Sequence, residues 1–287
     1  MRTRAPGVHY DPSMPRRPAG LALVFALVIL SGAASLAQRF GVFEGAGAGI
    51  RVPPKDFNDG AFTICKWMFR SDRSEPGGIG WSTDYPFGEI NLLTRLSELT
   101  KIPVSRNRDG DPNYWVVQLT DDQLFECPML LGSDVGTAAL SNAEVQRLRE
   151  YLLKGGFLWV DDFWGTAAWE HWREQITRVL PELPIVDVAP ADPIRQALFN
   201  IAEVKQVPSI FSWGGPGSDP RERGSDSPHA DFRAIADAHG RILVAMTHNT
   251  DIGDSMEREG DDPQYFAEYS RAGYALATNI VLYDLTH

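Results

Sequence analysis

The residues able to do chemistry fall in short polar clusters that follow apolar runs. The run ending at Phe69 empties into Arg70-Ser71-Asp72, Met129-Leu130-Leu131 into Gly132-Ser133-Asp134, residues 157–160 into Asp161-Asp162, and residues 242–246 into Thr247-His248-Asn249-Thr250-Asp251. Asp84, in Trp81-Ser82-Thr83-Asp84-Tyr85-Pro86, stands just ahead of a helical pattern. If those runs are adjacent strands, several carboxylates converge. Crowded carboxylates repel one another and resist desolvation, so they need a cation, a shared proton or hydrogen-bond donors. Three chemistries answer that need. Asp161, Asp162 and Asp251, with His248 beside them, form an oxygen-rich set for a hard divalent metal such as Mg²⁺ or Ca²⁺. A pair of these Asp side chains can work as general acid and base or as nucleophile. The same groups, joined by Arg70, Asp84, Ser133, Asp134 and Asn249, can also grip a small hydroxylated ligand, with Trp81, Trp159, Trp164 or Trp213 as stacking faces.

Plainer roles stand beside these. Asp after a strand commonly caps the next helix or fixes a turn. His248 and His171 can be solvated or satisfied in the core, and Trp169 and Trp172 lie on a helical pattern that packs them inward. Gly132-Ser133-Asp134-Val135-Gly136 is not the Gly-x-Ser-x-Gly elbow of hydrolases, which leaves little support for Ser133 as a nucleophile. Beyond a divalent metal, no cofactor is indicated.

The elements that must position these groups alternate along the chain. Residues 61–69 are strand-like, and residues 87–99 carry a helical apolar face through Ile90, Leu92, Leu93, Leu96 and Leu99. Short strands fit 116–119 and 129–131, the second apolar throughout, as a central parallel strand requires. Ser141-Asn142-Ala143-Glu144 is a capping box opening a helix that Gly155-Gly156 ends. Residues 157–160 form the next buried strand, and Thr166 is placed to cap a helix running to Leu180 and stopped by Pro181. Strands at 185–186 and 242–246 flank a Gly/Pro/Ser-rich, lid-like loop over 212–228, and 265–284 reads as a closing helix. This order predicts an α/β fold, a doubly wound and mostly parallel sheet with helices on both faces. Ligands of such sheets bind outside the strand carboxyl ends, where the polar clusters sit.

Of the 287 residues 43% are apolar, ample for a buried core, and the net charge of −11 is spread through the chain without a basic patch. That balance argues against nucleic acid as a partner. Residues 1–37 have the layout of a signal peptide: Arg16-Arg17, an apolar stretch, then small residues at Ser35 and Ala37. Residues 19–37 are also just long enough to cross a bilayer of about 30 Å as a retained anchor, the one membrane contact expected. Residues 38–60, Gly-rich with Pro53-Pro54, read as a linker, and residues 61–287 as the domain, exported and either periplasmic, secreted or anchored to the inner membrane. Cys65 and Cys127 can form one disulfide in such a compartment, or remain buried thiols.

Several motifs then fall into a known order. Trp81-Ser82-Thr83-Asp84-Tyr85-Pro86, Asn91-Leu92-Leu93, Leu99-Thr100, the stretch from Leu148 to Phe157 leading to Asp161-Asp162, and Asn279-Ile280-Val281-Leu282-Tyr283 resemble the bacterial family called domain of unknown function 4159. The resemblance implies a class I glutamine amidotransferase-like, flavodoxin-like fold and no established activity. In amidotransferases of that superfamily one strand-end loop helps form an oxyanion hole and the next strand ends in a sharp turn bearing a nucleophilic Cys. The matching places are Gly132-Ser133 and Asp161-Asp162, so glutamine hydrolysis through Cys is not expected. The expected function is binding of a small polar ligand, a carbohydrate or cell-envelope fragment, at the strand ends. Two alternatives stand: a metal- or carboxylate-dependent hydrolase built on the Asp161/Asp162 turn, and a non-catalytic scaffold with a protein partner in the envelope.

Overall fold

The computed structural model describes residues 49–287. The expected leader and residues 38–48 of the expected linker lie outside the described residues. Seven strands form one sheet: β1 (Ile64–Trp67), β2 (Tyr114–Val117), β3 (Met129–Ser133), β4 (Phe157–Asp161), β5 (Ile185–Asp187), β6 (Asp231–Ala236) and β7 (Ile242–His248), in the order β2-β1-β3-β4-β7-β6-β5. Every residue of β1, β3, β4 and β7 is buried. Since side chains alternate between the two faces of a strand, both faces of these four are covered. Helices α1 (Phe87–Leu99), α4 (Ile252–Glu257) and α5 (Arg271–Thr286) pack on one another, and α2 (Asn142–Leu153) packs on α3 (Gly165–Val179). Among the described residues no helix is long and apolar enough to cross a membrane.

The sheet is mixed, which corrects the expectation of a doubly wound parallel one. The pairs β2/β1, β1/β3, β3/β4 and β4/β7 are parallel, whereas β7/β6 and β6/β5 are antiparallel. The reason is a tight turn between β6 and β7. Asp237 Oδ1 accepts from the amides of His239 and Arg241, at 2.8 and 3.0 Å, and Gly240 holds φ 86°. A connection that short can join only antiparallel neighbours. In β6 Phe232, Ala234 and Ile235 are buried, and the strand was hidden in sequence by its terminal Asp231 and central Arg233.

The capping box of α2 is present as the sequence indicates: Ser141 Oγ accepts from Glu144 N at 3.3 Å and Glu144 Oε2 from Ser141 N at 2.8 Å. The start of α3 differs. Thr166 lies inside the helix and is itself capped, its amide and hydroxyl donating to Asp226 at 3.1 and 2.5 Å, while Gly165 N donates to Asn249 Oδ1 at 2.8 Å. Both acceptors come from distant segments, so no local pattern announces them. The closing helix begins as a helical turn at Pro263–Tyr265, passes through a π-helical turn at Phe266–Ser270 and continues as α5. Cys65 on β1 and Cys127 ahead of β3 are joined in a disulfide, their Cα atoms 5.9 Å apart. Upstream of residue 61, the Arg51 carbonyl accepts from Val116 N of β2 at 2.8 Å, and the buried Phe57 ring packs edge-on to Trp115.

Candidate cation site

At the carboxyl ends of the parallel strands the backbone turns sharply. Asp84, Asp134, Asp162 and Asn249 are the non-glycine residues with left-handed φ among the described residues, at 64°, 52°, 53° and 57°. Asp134 follows β3, Asp162 follows β4 and Asn249 follows β7. Asp and Asn tolerate this region better than other L-residues, and the turn aims their side chains out of the strand line.

Beneath them lies a buried cation. Lys66, fully buried on β1, donates from Nζ to the Thr83 carbonyl at 2.9 Å and Ser133 Oγ at 2.8 Å, and lies 3.0 Å from Glu89 Oε1 on α1. Two hydrogen bonds and one ion pair thus engage the ammonium. Ser133 Oγ in turn donates to Asp84 Oδ2 at 3.0 Å, so the hydroxyl is committed between Lys66 and Asp84. Burial pushes the proton affinity of Asp84 and Glu89 up, and the Lys66 charge opposes it at both.

Above that pair, Asp84, Asp162 and Asp251 each offer a carboxylate oxygen, all within 4.8 Å of one another, and all three residues are buried. Burial first, and then their mutual repulsion, holds Asp162 and Asp251 well above the usual carboxylate range. Asp251 also caps α4, accepting from Asp254 N at 2.6 Å, and Asp162 Oδ1 accepts from Trp164 Nε1 at 2.9 Å. A second triple, Asp84, Asp254 and Glu257, shares Asp84 with the first. Burial, with the Asp84 charge second, pushes Asp254 and Glu257 up to about 7.

A small cavity of about 10 Å³, room for about one water or ion, opens beside the triad. Its walls include Glu75, Asp134, Asp162, Asp251, Glu222 and Arg223. The expected lid-like loop over 212–228 is tied across it: Arg223 Nη2 donates to the Pro76 carbonyl at 2.6 Å, and Glu222 Oε1 accepts from Ser209 N at 2.7 Å.

The residues singled out in sequence thus separate. The triad holds Asp162 and Asp251 of the expected metal set, with Asp84 in place of Asp161. The Asp161 carboxylate accepts from Gly253 N at 2.8 Å and from Thr247 Oγ1, which fixes the start of α4, and burial pushes it up to about 7. Asp134 Oδ2 accepts from Gly80 N at 2.7 Å, and burial, with the Glu75 charge second, pushes it to about 7 also. His248 has both ring nitrogens engaged, Nδ1 with Asp231 Oδ2 at 2.9 Å and Nε2 with the Gly165 carbonyl at 3.1 Å, and it is not one of the triad. Asn249 serves as the α3 cap. Arg70 is exposed, with its carbonyl accepting from Ala139 N at 2.9 Å. Of the tryptophans, Trp164 alone lines the cavity; Trp159 Nε1 donates to Thr247 Oγ1 in the core, Trp81 packs on Tyr85 and Trp213 on Tyr265.

Lys66, Glu75, Glu89, Glu222, Asp254 and Glu257 were not picked out from sequence. One signal was readable: a lysine inside the apolar run 64–67 must find buried acceptors, and Glu89 lies on the helix that follows Asp84. Oxygen-only ligands with both charge and burial suit a hard cation over a soft one. No curated protein matches the chain. A family model matches residues 73–285, and the chain belongs to the family described as Domain of unknown function (DUF4159).

Proposed function

We propose that the domain works outside the cytoplasm and binds one hard divalent cation, Mg²⁺ or Ca²⁺, between Asp84, Asp162 and Asp251, as the centre of a hydrolytic site. The observation that carries this reading is the buried triad. Its three carboxylates lie within 4.8 Å of one another, and the cation beneath them, Lys66, is already engaged by Thr83, Ser133 and Glu89. A divalent ion offsets that repulsion where protons would otherwise be taken up. When bound, such an ion polarises a substrate oxygen and acidifies a coordinated water. Asp134, on the cavity wall with its proton affinity near neutrality, is suited to hold a proton there. Arg223 on the same wall is suited to steady an anionic group.

Export is supported by the Cys65–Cys127 disulfide, since disulfides persist mainly in oxidising compartments, together with the leader pattern over residues 1–37. The kinship to amidotransferase-like folds is supported by the parallel run β1-β3-β4-β7 and by the left-handed turn at Asp162, where those enzymes carry their nucleophile. An Asp in that place leaves Cys-dependent glutamine hydrolysis out.

Isothermal titration of the full chain with MgCl₂, CaCl₂ and MnCl₂ tests the cation. One of them should bind with 1:1 stoichiometry, and Asp162→Asn should weaken it roughly tenfold or more while circular dichroism stays native. Absence of binding by all three rejects the reading. Cation-dependent turnover of a panel of nitrophenyl esters, phosphates and glycosides then decides whether the site is hydrolytic.

A further inference from the structure

At the antiparallel edge of the sheet lies a groove of about 750 Å³, within the range of about 300–1,000 Å³ typical of small-molecule sites. It is built from the end of β5, the segment 202–206, the turn 228–230 and the first residues of β6. Gln206 belongs to its wall, and Gln206 Nε2 donates to the carbonyls of Ser227 at 3.1 Å and Asn249 at 3.0 Å. Asn249 lies two residues before Asp251, so groove and triad share one end of the sheet.

The formal charges of the groove cancel: Arg195, Lys205 and Arg233 against Asp187, Glu203 and Asp231. Most are engaged already. Arg195 donates to the carbonyls of Val188, Ile201 and Ala202, and Arg233 lies 3.2 Å from Asp187 and 3.1 Å from Asp231. Glu203 and Lys205 are exposed, with no ion-pair partner among the described residues, and Lys205 Nζ stands 5.2 Å from the Tyr269 ring centroid. With no net charge the groove exerts little pull on an ion. An acceptor, an ammonium and an amide within four residues instead suit hydroxyl groups, each of which both donates and accepts.

We propose that this groove binds a neutral oligosaccharide, with Glu203 accepting from ring hydroxyls and Lys205 donating to them. The site is separate from the cation triad and does not depend on it.

Isothermal titration of the full chain with cellotriose, chitotriose and maltotriose, against trigalacturonate as the acidic counterpart, tests the proposal. At least one neutral trisaccharide should bind. Glu203→Ala and Lys205→Ala, both at exposed positions, should each weaken it about tenfold. Ala230→Trp should fill the groove and abolish binding, whereas Asp162→Asn should leave it unchanged. The proposal is overturned if no neutral trisaccharide binds, if trigalacturonate alone binds, or if binding survives both Glu203→Ala and Ala230→Trp. If the unaltered chain binds a neutral trisaccharide but none of the three cations, the triad reading alone is overturned; if it binds a cation but no neutral trisaccharide, the groove proposal alone is overturned.

Discussion

The Asp84 carboxylate is seated on Gly253: a Cβ at position 253 overlaps Asp84 Oδ2 and Cγ. The first turn of α4 therefore has to be bare for Asp84 to reach Asp162 and Asp251. Gly253→Ala should push Asp84 aside and weaken divalent-cation binding by about 10- to 100-fold, the range seen when groups supporting a metal ligand are disturbed. Gly260→Ala, where nothing lies within 4 Å of the added carbon, should be neutral. Equal dissociation constants for the two variants, by calorimetry, remove Asp84 from the ligand set.

Stability should fall as pH rises through neutrality when no cation is added. Asp134, Asp161 and Asp254 are pushed to about 7, against about 3.9 for Asp in an unfolded chain. Between those values the folded state holds more protons than the unfolded one, so their contribution is full below about pH 4 and is lost as pH climbs past about 7. Melting temperature should drop between pH 5.5 and 8, and a saturating divalent cation should narrow the difference. A flat profile without cation contradicts the burial of these groups.

Lys66→Met should be among the most damaging single changes in the domain. It leaves Glu89 buried without its counter-charge, a loss of about 3–5 kcal/mol. Lys66→Met combined with Glu89→Leu should recover a large part of that in urea unfolding. If the double variant is no better than the single one, the two side chains do not act as a pair.

The Cys65–Cys127 bridge spans 62 positions of sequence, and removing it frees a long loop in the unfolded chain. Chain-entropy reasoning puts the loss at about 4 kcal/mol for a loop of this length. Cys65→Ala with Cys127→Ala should lower the urea midpoint accordingly, with little change in the far-ultraviolet spectrum. Unchanged stability would mean that strain in the folded state offsets the entropy gained.

What sequence makes legible here is local. The α1 boundaries, the capping box of α2 and the buried runs of β3 and β4 follow from periodicity and neighbouring residues alone. The polar residues after β3, β4 and β7 could likewise be placed at one end of the sheet, since parallel strands put their carboxyl ends together. Long-range assignments could not be made. Asp161 and Asp162 are adjacent and look equivalent, yet one faces Gly253 and Thr247 while the other joins the triad, because Asp161 is the last residue of β4 and Asp162 stands beyond it in a left-handed turn. Asp226 capping Thr166 and Lys66 meeting Glu89 depend on how separate segments dock, and β6 was lost because its charged residues break the apolar pattern.

The left-handed turns at Asp84, Asp134, Asp162 and Asn249 carry one more consequence. For ordinary L-residues that conformation costs roughly 1–2 kcal/mol, less for Asp and Asn, and glycine would adopt it freely. Glycine at those places would ease the main chain and erase the side chain together. The carboxyl end of the sheet is thus the region where this domain trades ease of folding for functional groups held in fixed directions.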